Sequence, residues 1–120
     1  MSSHYKYGRR KELQLGEFLQ RRGFYCERAR GSRGPVDLIA ARGRLRLAVQ
    51  VKATRSDSIS YTRLGPADET RLLRSAAARR ARPALALVSR NYVWLLSVPG
   101  ENVIAKGELK PLRYEYPGQT

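Results

Sequence analysis

Cysteine occurs once in these 120 residues, as Cys26, and tryptophan and methionine also occur once each. A lone cysteine excludes an intramolecular disulfide and any zinc site built on cysteines. No apolar run approaches the roughly 20 residues of a membrane-spanning helix, so no membrane span is expected. The first ten residues are polar and basic with no apolar segment after them, unlike a secretory signal. Repeats and low-complexity linkers are also missing. The most telling scarcity is of acids: 10 Asp and Glu against 24 Lys and Arg, a formal charge of +14. That balance predicts a polyanionic partner, nucleic acid first and an anionic membrane surface second. With 42% hydrophobic residues the chain can build a core. Its length fits a single domain, 1–120, that needs no disulfide staples. A reducing, cytoplasmic setting is the default expectation.

Residues 1–7 read as a flexible basic arm. Residues 8–22 carry a helical pattern, with Glu12, Leu15, Gly16 and Leu19 on one stripe, and Gly23 is a natural stop. Residues 24–28 read as a short strand, 29–35 as a basic glycine-containing loop, and 36–41 as a second strand. Gly43 centres a hairpin turn. Residues 45–53 alternate most clearly: Leu45, Leu47, Val49 and Val51 point one way, Arg46, Ala48, Gln50 and Lys52 the other. A polar loop leads to Gly65-Pro66, which opens a second helix running to about residue 82. Residues 84–89 and 92–98 are strands joined by a turn, 102–106 could add a short strand, and the tail from Pro111 is irregular. The order αβββαββ predicts an α/β or α+β domain in which helices flank a central mixed sheet.

Within this frame, polar groups gather at one place. Gln50 and Lys52 share a strand face. Asp37 lies on the preceding strand of the same hairpin, opposite the face of Leu38 and Ala40. Glu12 lies on an apolar helix stripe, where a carboxylate needs a partner. Oxygen donors of this kind suit Mg²⁺ or Mn²⁺, and a lysine beside them can orient water and balance charge on a phosphate. Each element has a plainer explanation alone: an Asp at a strand start is commonly structural, and an alternating strand commonly exposes polar residues on one face. The conjunction is more specific.

Asp37, twelve intervening residues and Gln50-Val51-Lys52 resemble the PD-(D/E)XK nuclease signature, with Pro35 one residue further back than the motif name places it. Gly8-Arg9-Arg10-Lys11-Glu12, followed eleven residues later by Gly23-Phe24, is similar to the archaeal-type Holliday junction resolvases. So are the loop Arg28-Ala29-Arg30-Gly31-Ser32 and the strand Val36-Asp37-Leu38-Ile39-Ala40, and more faintly Tyr61-Thr62-Arg63. The resemblance implies a restriction-endonuclease-like fold and a homodimer that binds a four-way DNA junction. It implies paired, symmetric, Mg²⁺-dependent hydrolysis of two opposed strands, with Mn²⁺ able to substitute. Glu12, Asp37 and Gln50 would hold the metal, Lys52 would serve the attacking water, and Ser32 would contact the scissile phosphate. Gln50 departs from the pattern, since the family carries a glutamate there. The lost unit charge is worth roughly 4 kcal/mol per opposing charge at ~4 Å and an effective dielectric of ~20, before desolvation offsets it. Metal affinity is therefore expected to fall, unless a substrate phosphate helps hold the ion. Two other outcomes stay open at this point: a restriction or repair nuclease of the same superfamily acting on duplex or branched DNA, and a catalytically weakened DNA-binding module of the same fold.

The remaining charges fall into clusters. Lys6, Arg9, Arg10 and Lys11, with Arg28, Arg30 and Arg33, flank the expected site and are assigned to phosphate contacts, together with Tyr61 and Arg63 from the resemblance. Tyr5 and Tyr7, in the arm, are candidates for stacking on exposed bases. Two further groups, Arg42, Arg44 and Arg46, then Arg74, Arg79, Arg80 and Arg82, have no assigned role beyond a solvated face. Glu17 lies about 140° around the helix from Glu12 and is expected in solvent. His4 is expected at the surface, and Cys26 as a small buried hydrophobe.

Overall fold

A computed structural model of the chain describes residues 3–29, 34–59, 61 and 63–112, with the side chains of residues 3–5 left out of the description. Helix α1 (Ser3–Gln20) is followed by β1 (Tyr25–Arg28), β2 (Leu38–Arg42), β3 (Leu45–Ala53), α2 (Pro66–Ala78), β4 (Arg82–Val88), β5 (Tyr92–Ser97) and β6 (Val103–Glu108). The six strands form one sheet in chain order. Every neighbouring pair is antiparallel except β3 and β4, which α2 connects as a crossover. This is a mixed α+β sheet with a helix on each face, as the sequence predicts. The sixth strand, absent from the order αβββαββ, is the further short strand that residues 102–106 offered.

Alternation sorts the strands between two cores. Leu38 and Ala40, Leu47 and Val49, Ala84 and Ala86, and Val93 and Leu95 pack against Leu15, Phe18 and Leu19 of α1. Ile39, Ala48, Leu85, Leu87 and Leu96 face Leu72 and Ala76 of α2. Gly23 ends α1 as expected: its φ is 86°, its N–H donates to Gln20, and the N–H of Phe24 donates back to Leu19. Gly43, with φ 58°, makes the tight β2–β3 turn. Pro66 starts α2 with Asp68 and Glu69 in its first turn, where carboxylates favour the helix dipole.

Two boundaries differ from expectation. Residues 3–7 are not an arm but the first turns of α1. The apolar stripe is hidden there because one of its positions is Lys11, which is 4% exposed, and another is Tyr7, whose hydroxyl donates to the Thr54 carbonyl at 2.6 Å. Helix α2 stops at Ala78, four residues early, because Arg80 takes a positive φ of 54° and the chain turns at once into β4.

Gly107 on β6 lies against the side chains of Phe18 in α1 and Arg22 just after it. A Cβ there would lie 3.0 Å from the Phe18 ring and 3.0 Å from a guanidinium nitrogen of Arg22, which stacks on that same ring. Phe18 is 1% exposed and cannot give way. Gly107→Ala is therefore expected to lower unfolding free energy by about 1–3 kcal/mol in urea titration, as overpacking does.

Candidate active site

The site grows from a divergence of two strands. β2 and β3 pair from Arg42↔Leu45 to Leu38↔Val49, and the Asp37 N–H still donates to the Val49 carbonyl at 2.8 Å. One step further the ladder lacks a main-chain acceptor. The Asp37 side chain takes that place: Val51 N–H donates to its Oδ2 at 2.8 Å. A carboxylate is thus fixed in the plane of the sheet at the end of β3. Extending the register sets Gln50 across from Asp37, and alternation puts Lys52 on the same side as Gln50. Gln50 is half-buried, and its Oε1 is buried without a hydrogen-bond donor among the described residues. A lone pair left this way seeks a cation or a proton donor. Lys52 is exposed and close enough to Asp37 to favour its ionised form.

Glu12 comes from α1 on the other side of the sheet. Its Oε1 lies 3.4 Å from Arg9 and 4.0 Å from Arg28 Nε on β1. Burial holds the Glu12 carboxyl above the usual range, and the neighbouring Asp37 charge adds to this, while Arg28 and Arg9 pull it back. Asp37 is raised too, chiefly by burial, against the opposing Val51 N–H, Lys52 and Arg28. Two desolvated carboxylates thus repel each other beside an unsatisfied amide oxygen. Among the described residues no three His, Cys, Asp or Glu side chains converge, so the third oxygen donor at this place is an amide. An all-oxygen set of two carboxylates and an amide fits a hard divalent cation that retains waters.

A model of the archaeal Holliday junction resolvase (Hjc) family matches residues 3–108. The chain belongs to that family. Its fold is also similar to a solved structure, described as the 1.6 Å structure of Archaeoglobus fulgidus Hjc, a Holliday junction resolvase from an archaeal hyperthermophile. That match has 27% sequence identity and a TM-score of 0.61, and covers 84% of this chain and 88% of the other. Family membership makes this chain a Holliday junction-resolving endonuclease that hydrolyses phosphodiester bonds of branched DNA and depends on a metal ion. Among the described residues no helix is long and apolar enough to cross a membrane.

The structure brings Glu12, Asp37, Gln50, Lys52, Arg9 and Arg28 to one end of the sheet. Lys6 and Arg10 are exposed on α1. Ser32, Arg30 and Arg33 lie outside the described residues. Lys11 is a correction: it is buried, its Nζ donates to the Arg90 carbonyl, and it sits 5.3 Å from the Tyr7 ring centre, so it does not face DNA. Burial lowers its pKa to about 8, helped by Arg10 and Arg90. Tyr7 is likewise engaged within the fold, under Arg55 at 4.3 Å, and is not presented for base stacking. Arg63 pairs with Glu101 at 3.1 Å, beside the β5–β6 turn at the other end of the sheet. Tyr61 is 53% exposed. Glu17, expected in solvent, is buried beside Arg21 at 3.6 Å. Arg55 was not foreseen. It follows β3 and lines, with Tyr7, Gly8 and Glu12, a cleft of about 480 Å³ on the α1 side of the site. Its position three residues after Lys52 was the available signal.

Raised carboxyl pKa values carry a sign. The fold favours the protonated forms, so their stabilisation is full below the ordinary carboxylate pKa and is lost as pH rises through the folded value. At neutral pH the ionised Glu12–Asp37 pair therefore burdens the metal-free protein. Glu12→Gln should show a higher melting temperature than the parent at pH 7 in EDTA, with the gap closing as pH falls through the carboxylate range. Adding Mg²⁺ or Mn²⁺ should raise the parent's melting temperature and not the variant's. A variant less stable than the parent at pH 7 in EDTA would refute this account of Glu12.

Proposed function

We propose that the chain works as a homodimer whose two active sites cut opposed strands of a four-way junction, each with Mg²⁺ held by Glu12, Asp37 and Gln50, and with Mn²⁺ able to substitute. The observation that carries this is the Asp37 carboxylate locked by Val51 N–H beside the orphaned Oε1 of Gln50 and within electrostatic reach of Glu12. An ion held there supplies charge neutralisation at the scissile phosphate and activation of water. Everything else is the work of side chains. Asp37 cannot swing away, because its second oxygen also serves the strand ladder. Lys52, exposed next to it, orients the attacking water and balances the charge that develops on the phosphate. Arg28, about half exposed, and Arg9 pair with Glu12 in the DNA-free protein and are placed to turn to phosphate oxygens when DNA arrives. Ser32 is assigned to the phosphate by the family resemblance, and Lys6 and Arg10 to the adjoining backbone.

Two reasons support a dimer. A single site cannot make two symmetric cuts in one encounter, and a two-fold dimer matches the two-fold symmetry of the junction. We place the protein in the cytoplasm, of a prokaryotic cell or of a cell hosting a virus, because branched DNA is found there.

Asp37→Asn should reduce junction cleavage in Mg²⁺ by at least about 10²-fold, while junction affinity in EDTA changes little. Equal loss of cutting and binding would refute a metal-holding role. Gln50→Glu should keep or raise the cleavage rate at low Mg²⁺, measured as the metal concentration for half-maximal rate. An inactive variant would show that Gln50 does something other than ligate.

A further inference from the structure

We infer that the end of the sheet opposite the active site is a second docking surface, for the phosphate backbone of a duplex arm far from the cut. The inference rests on the junction-binding reading above and extends it. Two separate stretches of chain, 42–46 and 79–82, deliver six arginines to this end. Arg42 and Arg44 flank the β2–β3 turn, Arg46 begins β3, Arg79 and Arg80 follow α2, and Arg82 begins β4 beside Leu47. Alternation puts Arg42 and Arg82 on the α1 side and Arg46 on the α2 side, so the positive charge collars the sheet end.

Among the described residues no carboxylate pairs with it, and Glu101, in the β5–β6 turn at this end, is engaged by Arg63. Residues 38–56 and 70–100 contain no Asp or Glu, and among the described residues none of the six takes part in an ion pair. Part of the group has a structural explanation. Arg46 Nε donates to the Arg79 carbonyl at 3.1 Å and caps α2, and Arg42 donates to the Arg22 carbonyl while stacking on Phe24. Arg44, Arg80 and Arg82 have no such explanation; they are exposed, and their side chains make no hydrogen bond or ion pair among the described residues. Arg80 is the sharper case. It holds a φ of 54°, a conformation that glycine or asparagine adopts with less strain. A strained backbone carrying an unpartnered guanidinium indicates that the charge itself is used. Mutual repulsion of unneutralised arginines is relieved by phosphates.

Position fits a duplex arm. Arg44 precedes Lys52 by eight residues along β3, roughly 25 Å at about 3.3 Å per residue. That is too far for the same phosphates and about right for an arm seven or eight base pairs from the crossover, at roughly 3.4 Å per pair.

The test uses the full chain with Arg44, Arg80 and Arg82 all changed to Gln, and two metal-free junctions. One has arms of about 25 base pairs, the other hairpin-capped arms of about 5, too short to reach this end. On long arms the variant should bind about 10-fold or more weakly, and its slope of log K against log salt should flatten by about 2–3, near 0.9 per lost phosphate contact. On short arms parent and variant should match. Single-turnover cleavage at saturating protein should be unchanged. Equal affinities on long arms, or equal losses on both junctions, would overturn the inference. If the triple variant is not folded by circular dichroism, Arg44→Gln alone, at the tip of the hairpin, should flatten the long-arm slope by about 1, and an unchanged slope would overturn it. A parent that binds junctions but never cuts them would sink the catalytic reading instead and leave this binding comparison intact.

Discussion

The amide of Val51 has no main-chain acceptor on β2, and a carboxylate serves in its place. The site depends on this substitution of side chain for backbone. Where β2 leaves β3, a polar group of the ladder would otherwise face a partly dry environment without a partner. Filling the gap with Asp37 satisfies the strand and fixes a charged oxygen in the sheet plane, reachable from both faces. Glu12 can approach it from α1 while Gln50 and Lys52 stand on the other side. Strand divergence therefore places ligands where a regular ladder would place only hydrogen bonds.

Holding α1 in position is the second requirement, and polar contacts share it with the core. Leu15, Phe18 and Leu19 bury the middle of the helix against the sheet. Its first turns are tied elsewhere, Tyr7 to the Thr54 carbonyl and Lys11 to the Arg90 carbonyl. Both anchors sit at the end of the sheet where Glu12 meets Asp37. A buried lysine one residue before the candidate metal-holding carboxylate looks wasteful by the usual accounting of buried charge. Here its ammonium cancels part of a helix-to-turn gap that no apolar side chain could bridge with a hydrogen bond.

The sequence carried the sheet and most of the site in legible form, because both obey short-range rules. Alternation in residues 45–53, Gly23 and Gly43 at positive φ, and Pro66 at a helix start are local signals, and each corresponds to what the structure shows. Glu12 was readable because a carboxylate on an apolar stripe is anomalous. The same logic failed for Lys11 and Glu17. Burial of those two depends on partners far away in the chain or on how the helix is rotated, which periodicity does not report. The start of α1 was misread for a related reason: its buried positions are Tyr7 and Lys11, whose polar tips hide their apolar stems. The collar of arginines was visible as two clusters, yet only the pairing of β3 with β4 shows that they occupy one end of the sheet.

On the proposed assignment of the metal site, Gln50 has a consistent place in the energetics. Glu12 and Asp37 already stand above the ordinary carboxylate range, held there by burial and, for Glu12, by its neighbour. A third carboxylate at position 50 would add like charge to a pair that three nearby cations do not fully relieve. An amide keeps the oxygen donor and removes that repulsion from the metal-free protein. The charge it omits must come from elsewhere when the ion binds, and the natural source is the phosphate of the bound junction. Metal and DNA then bind with mutual reinforcement, since each supplies what the other lacks. In a chain of net charge +14 such an arrangement is self-consistent. The arginines gather the polyanion first, and its phosphate completes a site that two carboxylates and an amide leave one charge short.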